Sequence, residues 1–328
     1  MEHLSPHIVD RVRTAIARHA DPAEFRALLT CLMTQQGRPL AVHGATRWSG
    51  FVVETCRALG GPLEAALGAA VALEFAVAAA DVVDDLVDDE WDEGLAPWPR
   101  ALNASVALVF LAQRCILELA DAHGVGLAVR LGDLLAHGCL VACTGEDMDL
   151  RFEQMAEVSE EQAHEMTRRK SGSLVAMACR FGAAVATEEP AVIAAAGEFG
   201  EHIGVVAQLL NDLLGVAPTS HAASSDLRRG KKTLPIAYAL RCVREEGPHA
   251  AFAPFLASSP GQISGASLAA ALHDLGALDY TWVVADAHRR AALAALSRLA
   301  RLTGRTELRR LRRLIPAMGT RRARGPVP

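Results

Sequence analysis

The stretch from Pro62 to Val83 is built almost wholly of Ala, Leu, Val and Phe, and its only charges are Glu64, Glu74 and Asp81. A helix that is apolar nearly all round is stable only when other elements cover it, so this segment predicts the central helix of a domain. It runs without a break into DVVDDLVDDEWDE. Asp81, Asp84, Asp85 and Asp88 stand at i, i+3, i+4 and i+7, so one helix face carries all of them. They fall at the C-terminal end, where the helix dipole opposes negative charge, and like charges at these spacings repel. Something positive must face them. A hard divalent cation such as Mg²⁺ meets that need, because it favours a few carboxylates together with phosphate oxygens. Acidic runs are more often solvated helix ends; direct continuation from a central apolar helix favours a metal site here.

Apolar residues recur at helical spacing along the rest of the chain, and period-two alternation is scarce. Helices are expected near 6–20, 22–34, 40–59, 62–90, 100–122, 125–147, 159–187, 190–216, 231–246, 262–275, 278–302 and 305–315. A chain of 328 residues suggests two domains by length, but no Gly/Ser linker divides it. The expectation is one all-α domain over 1–328 with long core helices and a basic tail at about 316–328. From Arg298 to Arg324 there are ten arginines and one glutamate, which read as a final amphipathic helix and a solvated tail.

Composition narrows the function. A net charge of −5 and an aromatic content of 5% argue against a nucleic-acid partner. The seven cysteines include no CxxC pair, which suggests a reducing, cytoplasmic compartment. Cys139 and Cys143 read as sharing a buried helix face. The N-terminus lacks an apolar signal-peptide core, and no run reaches about 18 uncharged apolar residues, so no membrane span is expected.

Two further features answer the acidic stripe. In QLLNDLLG, Gln208, Asn211, Asp212 and Gly215 repeat the i, i+3, i+4, i+7 spacing at the end of a second apolar helix. Two such helix ends can face each other across a cavity and share metal ions. The segment SSDLRRGKKTLPIAYAL then places Asp226, Arg228, Arg229, Lys231 and Lys232 in a Gly-containing loop before a helix. A basic loop beside a metal–phosphate site can clamp the phosphate and exclude water. Within RRKSGSL, Arg168, Arg169 and Lys170 are successive in a long helix, so at most one or two of them face inward.

Together these residues resemble the trans-isoprenyl diphosphate synthase (polyprenyl synthetase) family. Asp84-Asp85-Leu86-Val87-Asp88 is similar to its DDxxD motif, and Gly145-Glu146-Asp147-Met148-Asp149-Leu150 to its GQxxDL. Lys170-Ser171 resembles a diphosphate-contacting Lys-Thr. Phe199-Gly200 through Asp212 resembles FGxxxGxxxQxxDD, and Asp226 through Pro235 resembles DLxxGKxTLP. The resemblance implies an isoprenoid-synthase-type bundle around a deep cavity, usually as a homodimer. It implies three Mg²⁺ ions and an allylic prenyl diphosphate, whose C–O bond ionises. Carried over by position, Asp84, Asp85 and Asp88 are catalytic, and Asp84, Asp88, Asn211 and Asp212 hold metal. Lys170, Gln208, Asp226 and Lys231 bind the diphosphate. Ala76, Ala79 and Ala80 line the cavity floor, where small residues leave room for a long tail such as farnesyl or geranylgeranyl.

Departures from the family pattern bear on the second substrate. Where elongating members have a GKRxRP-like segment, this chain reads Gly44-Ala45-Thr46-Arg47-Trp48-Ser49, and Asp89 through Leu95 contains no base where an Arg pair is usual. A second diphosphate among extra carboxylates with no guanidinium fork is disfavoured. Asn211 stands for the first Asp of the second motif. These features put cyclisation first, as a class I terpene synthase. Transfer to an aromatic or peptide acceptor, chain elongation with a rearranged acceptor site, and a silent partner subunit remain as alternatives.

Overall fold

The computed structural model describes residues 5–35, 37–41, 47–216, 229–247, 265–305 and 308–318. Among them every regular element is helical: α1 Ser5–His19, α2 Ala23–Leu32, α3 Arg47–Ala58, α4 Leu63–Val87, α5 Trp98–His123, α6 Val125–Glu153 and α7 Glu160–Thr167. A π turn over Arg168–Gly172 leads into α8 Ser173–Ala186. Then follow α9 Pro190–Gly215, α10 Leu234–Glu246, α11 Gly265–Asp274, α12 Ala277–Thr303 and the short α13 Arg309–Arg312.

The apolar segment is indeed central. α4 packs on α3, α5, α6 and α8, and its residues from Ala69 to Ala79 are all buried. Alanine makes this possible, since small side chains let neighbouring backbones approach on every side. α8 is the second inner helix, in contact with α3, α4, α6 and α9, and α9 carries α12 on its other flank. The main core joins α1 to α6, α8, α9 and α12. A smaller core forms among α10, α11 and the start of α12, and another lies under the ends of α6, α7 and α9.

Three expectations are corrected. The helix expected over 159–187 is interrupted by the π turn, a feature that side-chain periodicity does not display. Cys143 is exposed and Cys139 half-buried, because the α6 face they share turns away from the core. Finally, α4, α5 and α6 are each long and apolar enough to cross a membrane by length and composition, since a helix can carry one or two charges and still qualify. The most apolar window of α4 is 78% buried in the protein, whereas those of α5 and α6 are 44% and 33% buried.

Candidate active site

The acidic stripe closes α4. Asp88 caps the helix, its N–H donating to the Asp84 carbonyl at 2.9 Å. Asp89 follows at φ 56°, in the left-handed region that ends helices, and the Glu90 N–H returns to the Asp85 carbonyl. The chain therefore turns sharply after the stripe and leaves Asp84, Asp85 and Asp88 at the helix end.

The positive charge that the stripe requires comes from three separate places. Lys170, in the π turn, lies 2.9 Å from Asp84, 2.7 Å from Glu146 and 2.8 Å from Asp149. Lys231 is ion-paired with Asp88 and reaches toward Asp149 at 3.7 Å. Arg229 forks onto Glu153 at 3.1 and 3.0 Å and approaches Asp88 at 3.6 Å and Asp89 at 3.5 Å. Asp81, one turn deeper, is paired with the buried Arg38. The ends of α4 and α6, the π turn and the segment before α10 thus meet in one ionic network.

Local backbone packing sets this geometry. A Cβ on Gly145 of α6 would lie 2.2 Å from the Lys170 backbone nitrogen, so only glycine lets the π turn sit against α6. On the other side, a Cβ on Gly204 of α9 would lie 2.8 Å from Gly172 Cα and from the Ser171 carbonyl oxygen. The turn is clamped between two helices, and Lys170 is aimed by the clamp.

The second stripe joins through Ser171. The Ser171 hydroxyl donates to Gln208 Oε1 at 2.8 Å, and Gln208 Nε2 donates to Asp212 Oδ1 at 2.9 Å. Asp212 is buried and Asn211 is exposed at the same helix end. Ala76 and Ala79 are buried in α4, and Ala80 is half-buried one turn before Asp84. Asp226 and Arg228 lie outside the described residues.

Electrostatically the site is a tense balance. Burial works to raise the Asp84 carboxyl, yet the ammoniums of Lys170 and Lys231 hold it below the ordinary value. Burial pushes Glu146 up to about 7 against the pull of Lys170. Burial, with Asp81, Asp84 and Glu90 nearby, pushes Asp85 to about 6. Burial also raises Asp81, though Arg38 opposes it. Three carboxylate oxygens, Oδ1 of Asp88 and Asp149 and Oε1 of Glu146, are buried and accept no protein hydrogen bond. Orphaned acceptors of this kind are the donor set a hard oxygen-seeking cation lacks in water-poor surroundings, so the residues present fit Mg²⁺.

Sequence reasoning missed Glu146, Asp149 and Glu153 as site residues. They stand at i, i+3 and i+7 on α6, and the spacing rule that marked α4 would have found them.

The fold is an all-helical bundle of the isoprenoid-synthase type. The chain belongs to the polyprenyl synthetase family, which matches residues 38–252. The short chain isoprenyl diphosphate synthase of Methanothermobacter thermautotrophicus is 29% identical over 205 residues, covering 58% of this chain and 61% of that protein. The (2E,6E)-farnesyl diphosphate synthase of Mycobacterium tuberculosis is 30% identical over 216 residues, covering 62% of this chain and 59% of that one. The chain thus spans about three fifths of the length of these curated relatives. Among solved structures, a polyprenyl synthetase from Streptomyces coelicolor superposes with a TM-score of 0.80 at 24% identity, over 97% of this chain and 98% of that one. A geranylgeranyl pyrophosphate synthase from Corynebacterium glutamicum, solved with isoprenyl diphosphate and magnesium, gives 0.69 at 21% identity, over 94% and 97%.

Proposed function

We propose that this protein ionises an allylic prenyl diphosphate with Mg²⁺ and transfers the resulting prenyl cation to an alkene carbon, with pyrophosphate as leaving group and a proton lost from the adduct, as a transferase. The observation that carries this reading is the convergence of Asp84, Asp88, Glu146 and Asp149, with three orphaned oxygens, upon Lys170 and Lys231. Asp84, Asp88, Asn211 and Asp212 would hold the metal, which when bound would supply Lewis-acid stabilisation of the departing diphosphate.

The chain's own residues do the rest. Lys170 and Lys231 exchange carboxylate partners for diphosphate oxygens and stabilise the charge that develops on them. Gln208 is fixed by Ser171 and Asp212, so its amide is set without a further loss of side-chain freedom. Arg229, tied to Glu153, holds the segment before α10 over Asp88 and excludes water. Ala76, Ala79 and Ala80 leave space for the prenyl tail.

The names of the curated relatives favour chain elongation over the cyclisation placed first from sequence, since those relatives are diphosphate synthases. Cyclisation stays as a second reading on one observation: Asp89, Glu90, Asp92 and Glu93 follow the acidic stripe with no base among them. Supplying geranyl, farnesyl and geranylgeranyl diphosphates with and without isopentenyl diphosphate separates the two. A longer prenol formed only with isopentenyl diphosphate supports elongation, and a cyclic product formed without it supports cyclisation. Asp84→Ala and Asp88→Ala are each expected to lower Mg²⁺-dependent pyrophosphate release by at least about 100-fold, equivalent to about 2.7 kcal/mol of barrier. Activity like the wild type in either variant overturns the assignment.

We infer, too, that the chain works as a homodimer joined through α5 and α6. Leu102, Val106, Val109, Phe110 and Leu117 of α5 and Val129 of α6 are all exposed, an apolar face of the kind that homodimers bury.

A further inference from the structure

A polar cavity of about 200 Å³ opens between α6, the π turn, α8 and α9. Its charged lining is mostly basic: Arg168, Arg169, Arg180 and His137, beside one carboxylate, Glu201. Two of the guanidiniums have acid partners. Arg168 donates to Glu165 at 2.8 and 3.0 Å and to Glu201 at 3.3 Å, and Arg169 donates to Glu165 at 2.6 Å.

Arg180 differs from them. It is half-buried, yet it makes no hydrogen bond or ion pair among the described residues. Its side chain lies in a slot that exists because residue 197 of α9 is glycine. A Cβ there would fall 2.2 Å from Arg180 Nε and 2.8 Å from its Cγ. Arginine cannot shed its charge, and a partly desolvated guanidinium without a counter-ion is costly. The exposed His137 on α6 adds a second nitrogen-bearing side chain without a partner among the described residues.

We propose that this cavity is a binding site for a small phosphate-type anion, anchored by Arg180 and completed by Arg168, Arg169 and His137. Planar guanidinium forks match the paired oxygens of phosphate, which a point charge such as lysine does not. The volume lies below the range of about 300–1,000 Å³ typical of sites for organic ligands, which favours inorganic phosphate or pyrophosphate over a nucleotide. The site is separate from the carboxylate site. Arg168 and Arg169 line it, while the next residue, Lys170, turns to Asp84, Glu146 and Asp149. An anion here competes with Glu165 and Glu201 for Arg168 and Arg169, and so acts on the turn that aims Lys170.

The test is calorimetric titration of the full chain with inorganic phosphate and with pyrophosphate, in chelator so that no metal bridges the anion to the aspartates. The expected result is one saturable event per chain. Arg180→Gln weakens it at least about tenfold and His137→Ala about threefold, while Lys170→Ala leaves it within about twofold. Whichever anion binds more tightly identifies the natural occupant. His137 is exposed, so its variant keeps the comparison valid even where Arg180→Gln disturbs folding. Binding that survives Arg180→Gln, binding lost only in Lys170→Ala, or no saturation up to about 10 mM each overturns the proposal.

Discussion

Glu74 shows how a single buried residue makes stability depend on pH. It is fully buried in α4, its Oε1 accepts the Ser49 N–H of α3 at 2.7 Å, and its Oε2 has no partner. Burial raises its pKa from the ordinary 4.5 to about 7, with the Ser49 hydrogen bond opposing. The folded chain therefore holds a proton that the unfolded chain releases above 4.5. The stability this group confers is whole below about 4.5 and is lost as pH rises through about 7. Glu74→Gln should remove that loss, gaining on the order of 3 kcal/mol relative to the wild type between pH 5 and 9. Parallel denaturant titrations across that range check it, and an unchanged pH slope refutes the assignment. The cavity-floor role proposed for Ala80 bears on specificity instead. Being half-buried one turn before Asp84, it leaves room that Ala80→Phe should fill. That variant is expected to shift use from geranylgeranyl toward shorter prenyl diphosphates by about tenfold in kcat/KM, measured by pyrophosphate release.

At the scale of elements, α7, α9 and α12 illustrate how separate helices create chemistry that none holds alone. His288 of α12 bridges His164 of α7, at 2.7 Å between Nε2 atoms, and His202 of α9, at 2.9 Å between Nδ1 atoms. Burial lowers the pKa of all three; His164, His202 and Arg168 help bring His288 down to about 4. The unfolded chain binds protons near 6.5 that the folded chain refuses, so stability falls as pH drops from about 6.5 toward 4. His288→Gln should flatten this acid limb, retaining about 2–4 °C more of its Tm at pH 4.5 than the wild type does. Thermal melts at pH 7.5 and 4.5 measure it, and equal losses in both proteins count against the cluster. None of this was legible in the sequence, because 164, 202 and 288 lie far apart along the chain. The carboxylates of α6 were legible in principle: Glu146, Asp149 and Glu153 obey the helical spacing that exposed the α4 stripe.

For the whole molecule, the bundle leaves one flank unfinished. The inner helices α4 and α8 are enclosed, whereas α5 keeps Phe110 60% exposed and Leu117 50% exposed. The proposed homodimer would cover this flank with a second copy, and Phe110→Glu should then shift it to monomer with at least about tenfold weaker association. Sedimentation of the two proteins side by side decides this. A wild type that is monomeric, or that sediments only with lipid vesicles, places something else on the flank.

The sequence by itself determined the all-helical class, the central position of the segment from Pro62 to Val83, and the grouping of Asp84, Asp85 and Asp88 on one face. Those properties follow from composition and from spacing within a single helix, which local geometry governs. Only the tertiary structure decided what neutralises that face. Lys231 meets Asp88 across 143 positions of chain, and Lys170 meets Asp149 across 21. Charges so far apart become neighbours only in the packed chain; for Lys170, glycines at 145 and 204 let two helices, α6 and α9, close on its turn. Close approach of backbones, and the field that results from it, belongs to the packed molecule and not to any segment of it.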